Sequence, residues 1–197
     1  MHYAIEPTGT LEGTTVRYLI DGKKSNFTVR AFATGLLSAF AHSPTMAIPD
    51  SEGEIAVNSD QIEQSSLRMV IHSASLAVTD DVSDKDREEI NRRTHDEVLE
   101  SDSYPDIAYE CSQISASKTG EGQYWASLSG KLTLHGITRI QPVSARVSLS
   151  GDILRAMGDF TLRQSDYEIR PVTAAGGTVK LKDELKLSFD ISARKQV

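Results

Sequence analysis

The sequence predicts an all-β-dominated fold, an antiparallel β-barrel of about eight strands carrying one α-helix. Three observations predict it. Apolar residues recur with period two in several separate segments, glycine turns part those segments, and one charged stretch has helical period instead. Alternation sends one face into an apolar interior and the other into water, which antiparallel sheets permit and parallel sheets rarely do. Closing the sheet removes the edges that an open sheet of many strands would have to protect.

Taken in order, a first strand is expected near 15–20, ended by Asp21-Gly22. Phe27, Val29 and Ala31 alternate with Asn26, Thr28 and Arg30, which gives a strand over 26–34. Leu36, Leu37 and Phe40 in the segment 35–42 read as a short helical turn packed on the sheet, or as a bulged strand continuing from Phe32. Strands follow near 45–57 and 66–78. The helix is expected over 84–100, with Ser83 as its cap and Asp86 three residues on. Glu88–Arg92 and Glu89–Arg93 are i,i+4 pairs in the favourable order, and Ile90, Thr94 and Val98 share one narrow face. Pro105 stops it.

Beyond the helix, strands are expected near 106–115, 123–134, 141–149, 153–164 and 178–193. Their turns are residues 119–122, Ser150-Gly151-Asp152 and residues 174–177. Leu128, Leu132 and Leu134 share a face with Gly130, whereas Trp125 has the opposite parity and is either an exposed anchor or a cover for the helix. Val143, Ala145, Val147 and Leu149 form one inner row, and Leu185, Leu187, Phe189, Ile191 and Ala193 another.

Composition narrows the function. The chain has 197 residues, which fits a single domain over 1–197 with residues 1–14 as an N-terminal extension. No apolar run approaches the ~18 residues of a membrane helix, so no transmembrane segment is expected. The net charge of −7 argues against a general nucleic-acid binder, which needs cations to neutralise phosphates. The charge is local, because residues 80–102 hold ten acids against four bases. The N-terminus shows neither a basic nor an apolar leader region, so a cytoplasmic location is expected.

Catalytic signatures are missing. Neither the serine elbow G-x-S-x-G, nor a phosphate loop, nor H-E-x-x-H occurs. His2, His42, His72, His95 and His135 are not spaced as ligand pairs, and Cys111 is alone, so no metal and no cofactor are expected. Cys111 shares a face with Ile107 and Tyr109 and reads as a small buried hydrophobe. Tyr167 either lines a cavity or completes the core.

Strand parity nominates Phe27, Val29, Ala31, Ile107, Tyr109, Leu132, Leu134, Val147, Phe160, Leu162, Leu187 and Phe189 as inward residues of a cavity. About half are expected simply to fill a solid core, since small barrels can be filled by side chains.

Several segments together are familiar. They are residues 18–29 (YLIDGKKSNFTV), Gly53-Glu54-Ile55, Ser75-Leu76, residues 104–109 (YPDIAY), residues 130–138 (GKLTLHGIT), residues 163–169 (RQSDYEI), and Lys182 to Leu185 with residues 187–191 (LSFDI). In this order they resemble the YceI-like family. The resemblance implies a lipocalin-like barrel that binds, stores or carries a long amphiphilic lipid without catalysis. The partner it implies is an isoprenoid, an isoprenoid quinone or a fatty-acid derivative. Two other readings stay open. One is an enzyme acting on such a lipid through His135, His42 or Cys111. The other is a filled barrel that works as an interaction module through the acidic helix or Trp125. A homodimer is also left open.

Overall fold

In the computed structural model, residues 15–34, 43–174 and 179–196 are described. The helical turn expected over 35–42, the extension 1–14 and positions 175–177 of the expected glycine turn lie outside them. The strands are β1 Thr15–Ile20, β2 Asn26–Arg30, β3 Ala33–Thr34, β4 Thr45–Ala47, β5 Ser51–Asn58, β6 Ser66–His72, β7 Ala77–Val78, β8 Asp106–Cys111 and β9 Ile114–Gly120. They continue as β10 Gln123–Leu134, β11 Ile137–Ser150, β12 Ile153–Arg163, β13 Thr173–Ala174, β14 Val179–Leu181 and β15 Glu184–Lys195.

Eight strands close a ring in the order β1, β5, β6, β8, β10, β11, β12, β15. The seam back to β1 pairs Tyr18 with Lys195 and Ile20 with Ala193, and every neighbour is antiparallel. The short strands prolong the ring. β2 takes the other half of β15, with Phe27 opposite Phe189, and β4 and β7 follow beside it. β9 continues β8 along β10. Four consecutive staves are therefore broken in two, and the other four run unbroken for 11 to 14 residues.

Two of these breaks have a visible local cause. Between β1 and β2 the chain makes a single 3-10 turn, Gly22–Lys24, where Gly22 lies so close to Ser51 O that a Cβ would sit 2.4 Å from it. The strand expected over 106–115 ends at Cys111 because its ladder with β10 is interrupted. There the Gly130 N–H donates to the Tyr109 hydroxyl at 3.1 Å instead of a carbonyl of β8. The hairpin from β10 to β11 turns on His135 (φ 51) and Gly136 (φ 73), the two positive angles of a type I′ turn. Gly136 also lies under Tyr104, whose Cε1 would be 2.7 Å from a Cβ.

The helix begins where the sequence places it and changes character midway. α1, Asp84–Arg93, is capped by Ser83, whose Oγ accepts from Asp86 N at 3.2 Å. From Thr94 to Val98 the spacing widens to a π turn, in which Leu99 N donates to Thr94 O at 2.9 Å. The expected Glu88–Arg92 and Glu89–Arg93 pairs are replaced. Arg92 reaches Glu89, Asp96 and Glu97, and Arg93 reaches Glu97 at 3.1 Å. The extra residue in the π turn advances the acids of the 94–98 segment toward both arginines, so the contacts run across the junction.

This helical segment straps one end of the barrel. It also finishes the free edge of β7, the last strand of the sheet path. Val78 N–H donates to Asn91 Oδ1 at 2.9 Å, Arg87 donates to Val78 O at 2.9 Å, and His95 Nε2 donates to Leu76 O at 2.7 Å. Side chains thereby take the place of a neighbouring strand, leaving no orphaned main-chain group at Val78. Six of the ten acids of residues 80–102 sit on this strap, and the other four flank it.

Candidate functional site

The barrel is hollow. A cavity of about 690 Å³ runs along its axis, within the range of pockets that take a small organic ligand. Its wall follows β10 from Tyr124 to Leu134, ten residues on, which is about 33 Å of strand. The strap provides Ile90, Thr94, Val98 and Leu99 to one end, so the narrow face read from helical spacing is the face that meets the cavity.

All twelve inward candidates line this space: Phe27, Val29, Ala31, Ile107, Tyr109, Leu132, Leu134, Val147, Phe160, Leu162, Leu187 and Phe189. About half are expected to fill a solid core; six of the twelve, Phe27, Ala31, Tyr109, Leu132, Leu134 and Leu162, are buried core residues that also border the cavity. Leu154, buried, also lines the cavity, whereas Ala193 and Tyr167 are buried outside its wall. Tyr167 completes the core and is not part of the cavity wall.

Sequence reading missed the wall contributed by β5 and β6, namely Ile55, Val57, Leu67, Met69 and Ile71. Their signal was present as alternation with Glu54, Ala56, Arg68 and Val70. Polar wall residues were missed too. Asp80 and Arg93 lie at the strap, and Lys118 lies near the opposite end, in phase with Ile114 and Ala116. Asp80 Oδ2 accepts from Thr45 N at 2.7 Å, and Arg93 is held by Glu97, so both are occupied.

One polar group in the wall is satisfied deep inside. Tyr109 Oη accepts from Gly130 N and donates to Gln141 O at 3.0 Å. Burial pushes this phenol well above its ordinary value, so it stays a neutral donor. Gln164, also in the wall and buried, donates to Lys182 O at 2.9 Å. The lumen thus offers mostly hydrocarbon, with its buried polar atoms already paired.

The residues considered for catalysis are dispersed. Cys111 is buried with its thiol directed at Gln113 O, and it is not in the cavity wall. His135 lies at the β10–β11 hairpin, outside the cavity wall, where Nδ1 donates to Tyr167 O at 3.2 Å and Nε2 faces Glu100 at 3.6 Å. Tyr104 packs on its ring at 4.4 Å. His42 lies outside the described residues. His72 is on the outer face beside Asp106, and Trp125 is 47% exposed, so it is not a cover for the helix. Among the described residues no group of three or more His, Cys, Asp or Glu could hold a metal ion. Among them, too, no helix is long and apolar enough to cross a membrane.

A closed antiparallel barrel of eight strands around an elongated apolar lumen defines the class: a hollow β-barrel of the lipocalin-like kind. The chain belongs to the YceI-like domain family, whose profile matches residues 18–193. Solved structures agree on the fold. Burkholderia cenocepacia BcnA superposes with a TM-score of 0.66 at 18% identity, over 88% of this chain and 98% of its own. A polyisoprenoid-binding domain from Saccharophagus degradans, implicated in plant cell wall breakdown, gives 0.64 at 13% identity, over 91% and 98%. The Campylobacter jejuni YceI protein gives 0.56 at 14% identity, over 77% and 85%. No curated protein matches the chain.

Proposed function

We propose that this protein binds and carries a long-chain amphiphile, an isoprenoid, isoprenoid quinone or fatty-acid derivative, in the barrel cavity and performs no chemistry on it. One observation carries the reading: an apolar lumen of about 690 Å³ whose wall extends along about 33 Å of strand. That shape suits an extended chain better than a compact molecule. Each buried CH₂ contributes about 0.8 kcal/mol before losses, so a few isoprene units bind without a polar contact. Ordering the flexible chain offsets part of this gain. Family membership and the polyisoprenoid-binding relative support the same ligand class.

Native mass spectrometry of the purified protein, followed by solvent extraction, tests this. A co-purifying isoprenoid or fatty-acid derivative, or uptake of an added isoprenoid quinone or fatty amide, is the expected result. A protein that stays empty with both added lipids overturns it.

A further inference from the structure

Between two unbroken staves of the ring, β11 and β12, the joint is paired over only part of its length. β11 is 14 residues long and β12 is 11, yet their ladder covers only five pairs, from Ser150 opposite Ile153 to Arg146 opposite Met157. On their other sides the same two strands are paired along nearly their full length, with β10 and with β15. Below Arg146 and Met157 the two strands continue side by side without register.

The sequence explains where the ladder stops. Gly158 follows Met157, and its Cα approaches Ser144 O so closely that a Cβ would sit 2.3 Å away. Pro142 follows on the other strand and has no N–H to give to a ladder. A proline in the middle of a ring strand is out of place unless one side of that strand is left unpaired.

Side chains close the joint instead. Gln141 Nε2 reaches across to Thr161 O at 3.4 Å, and Arg139 Nε donates to Asp166 O. Inside, Val143 of β11 and Phe160 of β12 border the joint, and both are in the cavity wall. Outside stand Ile140, the most exposed large apolar residue of the described chain at 59%, and Met157 at 38%. The inner border of the joint is therefore apolar, and Gln141 bridges its outer side. Over this stretch the two strands are bridged by side chains, and parting it leaves the five-pair ladder from Ser150 to Arg146 in place.

We propose that the β11–β12 joint is a side gate through which the hydrocarbon chain of the bound lipid enters and leaves, with Gln141 as its latch. This rests on the lipid-binding reading above. The gate gives the ligand class a requirement: a flexible, unbranched or sparsely branched chain that can thread sideways, with no bulky group along the part that passes.

A reversible cross-link tests it. In a Cys111→Ser background, Ser144→Cys with Asp159→Cys places two thiols opposite each other if the register is continued, and both positions are exposed. The close approach of Ser144 and Gly158 brings the strands within disulfide reach there. Thr133→Cys with Thr138→Cys, a paired position in the intact β10–β11 ladder, is the control. The protein is loaded with dansyl-labelled undecanoic acid, and transfer of the probe to phosphatidylcholine vesicles is followed by fluorescence.

Oxidation of the 144/159 pair is expected to slow transfer about tenfold or more, with the amount bound unchanged and full recovery on reduction. The control pair is expected to leave the rate unchanged. Gln141→Ala, which needs no cross-link, is expected to speed release about threefold. Equal rates in the oxidised and reduced 144/159 protein overturn the gate while leaving lipid binding intact. If that pair does not cross-link, an unchanged rate in Gln141→Ala overturns it. A parent protein that takes up no probe overturns the binding reading and the gate together.

Discussion

Tyr109 lies over Gly130 so closely that a side chain at 130 would collide with its ring: a Cβ would be 2.3 Å from Cζ and 2.5 Å from the hydroxyl. The same hydroxyl accepts from Gly130 N–H and donates to Gln141 O, so one phenol ties β8, β10 and β11 together inside the wall. Gly130→Ala is expected to cost about 1–3 kcal/mol by overpacking. Tyr109→Phe is expected to cost about 1–3 kcal/mol by leaving a buried N–H and carbonyl without partners. Because the two residues share one contact, the double variant is expected to cost less than the sum of the two. Urea denaturation of all three variants measures this, and strict additivity would refute the coupling.

Asn91 finishes the edge of β7 by accepting from Val78 N–H. Asn91→Ala leaves that donor without a strand or side-chain partner, at an expected cost of about 1 kcal/mol. The effect is expected to be local, with the Val78 amide exchanging faster while amides of β10 and β12 keep their protection. Hydrogen exchange resolved by residue reads the difference. Uniform loss across the barrel would mean that the strap is part of the global unfolding unit.

Leu134 is buried in the cavity wall beside the strap. Leu134→Arg places an unpaired charge in the lumen, and lipid retention is expected to be lost. Circular dichroism establishes whether the variant folds, and solvent extraction establishes whether it holds lipid. A folded variant that retains its lipid would show that the chain does not occupy this part of the cavity.

Two carboxylates tie acid stability to named contacts. Arg155, hydrogen-bonded to Asp190, holds its carboxyl below the usual range, and the Ser165 hydroxyl and N–H do the same for Asp183. A depressed folded value means that the unfolded chain binds the proton more readily. The stabilisation is therefore complete above the ordinary aspartate value, near pH 4, and is lost as the pH falls through the lower folded values. Asp190→Asn and Asp183→Asn are each expected to flatten the fall in melting temperature below about pH 4. Parallel acid profiles for variant and parent would contradict this.

How much was legible in the sequence depended on how a residue meets its neighbours. Alternation at Phe27, Val29, Leu187 and Phe189 placed those side chains inside, because a strand with one wet face has only two choices. The strap was legible from Ser83 and the Ile90, Thr94, Val98 row, since capping and helical period are local. The π turn was not legible, because it depends on where the segment must lie to satisfy Val78 and Leu76. Hollowness was not legible either: parity says which way Leu132 points, and only the ring diameter says whether anything meets it there. The same holds for Pro142, which reads as an ordinary strand residue until the missing ladder beside it is seen.

The strap has an electrical consequence. Together with the flanking Asp80, Asp81, Glu100 and Asp102 it holds −6 of the formal −7 at one end of the barrel, beside the His135 hairpin, while the hairpins at Gly122 and Gly151 mark the other end. The strapped end of the barrel is therefore acidic. Within about one Debye length of a charged surface, some 8 Å at physiological salt, the acidic end feels a force that turns the protein. Facing an anionic surface, the protein turns its strapped end outward and arrives with the opposite hairpins leading. Facing a cationic one it arrives strap first, and raising the salt removes the preference in both cases.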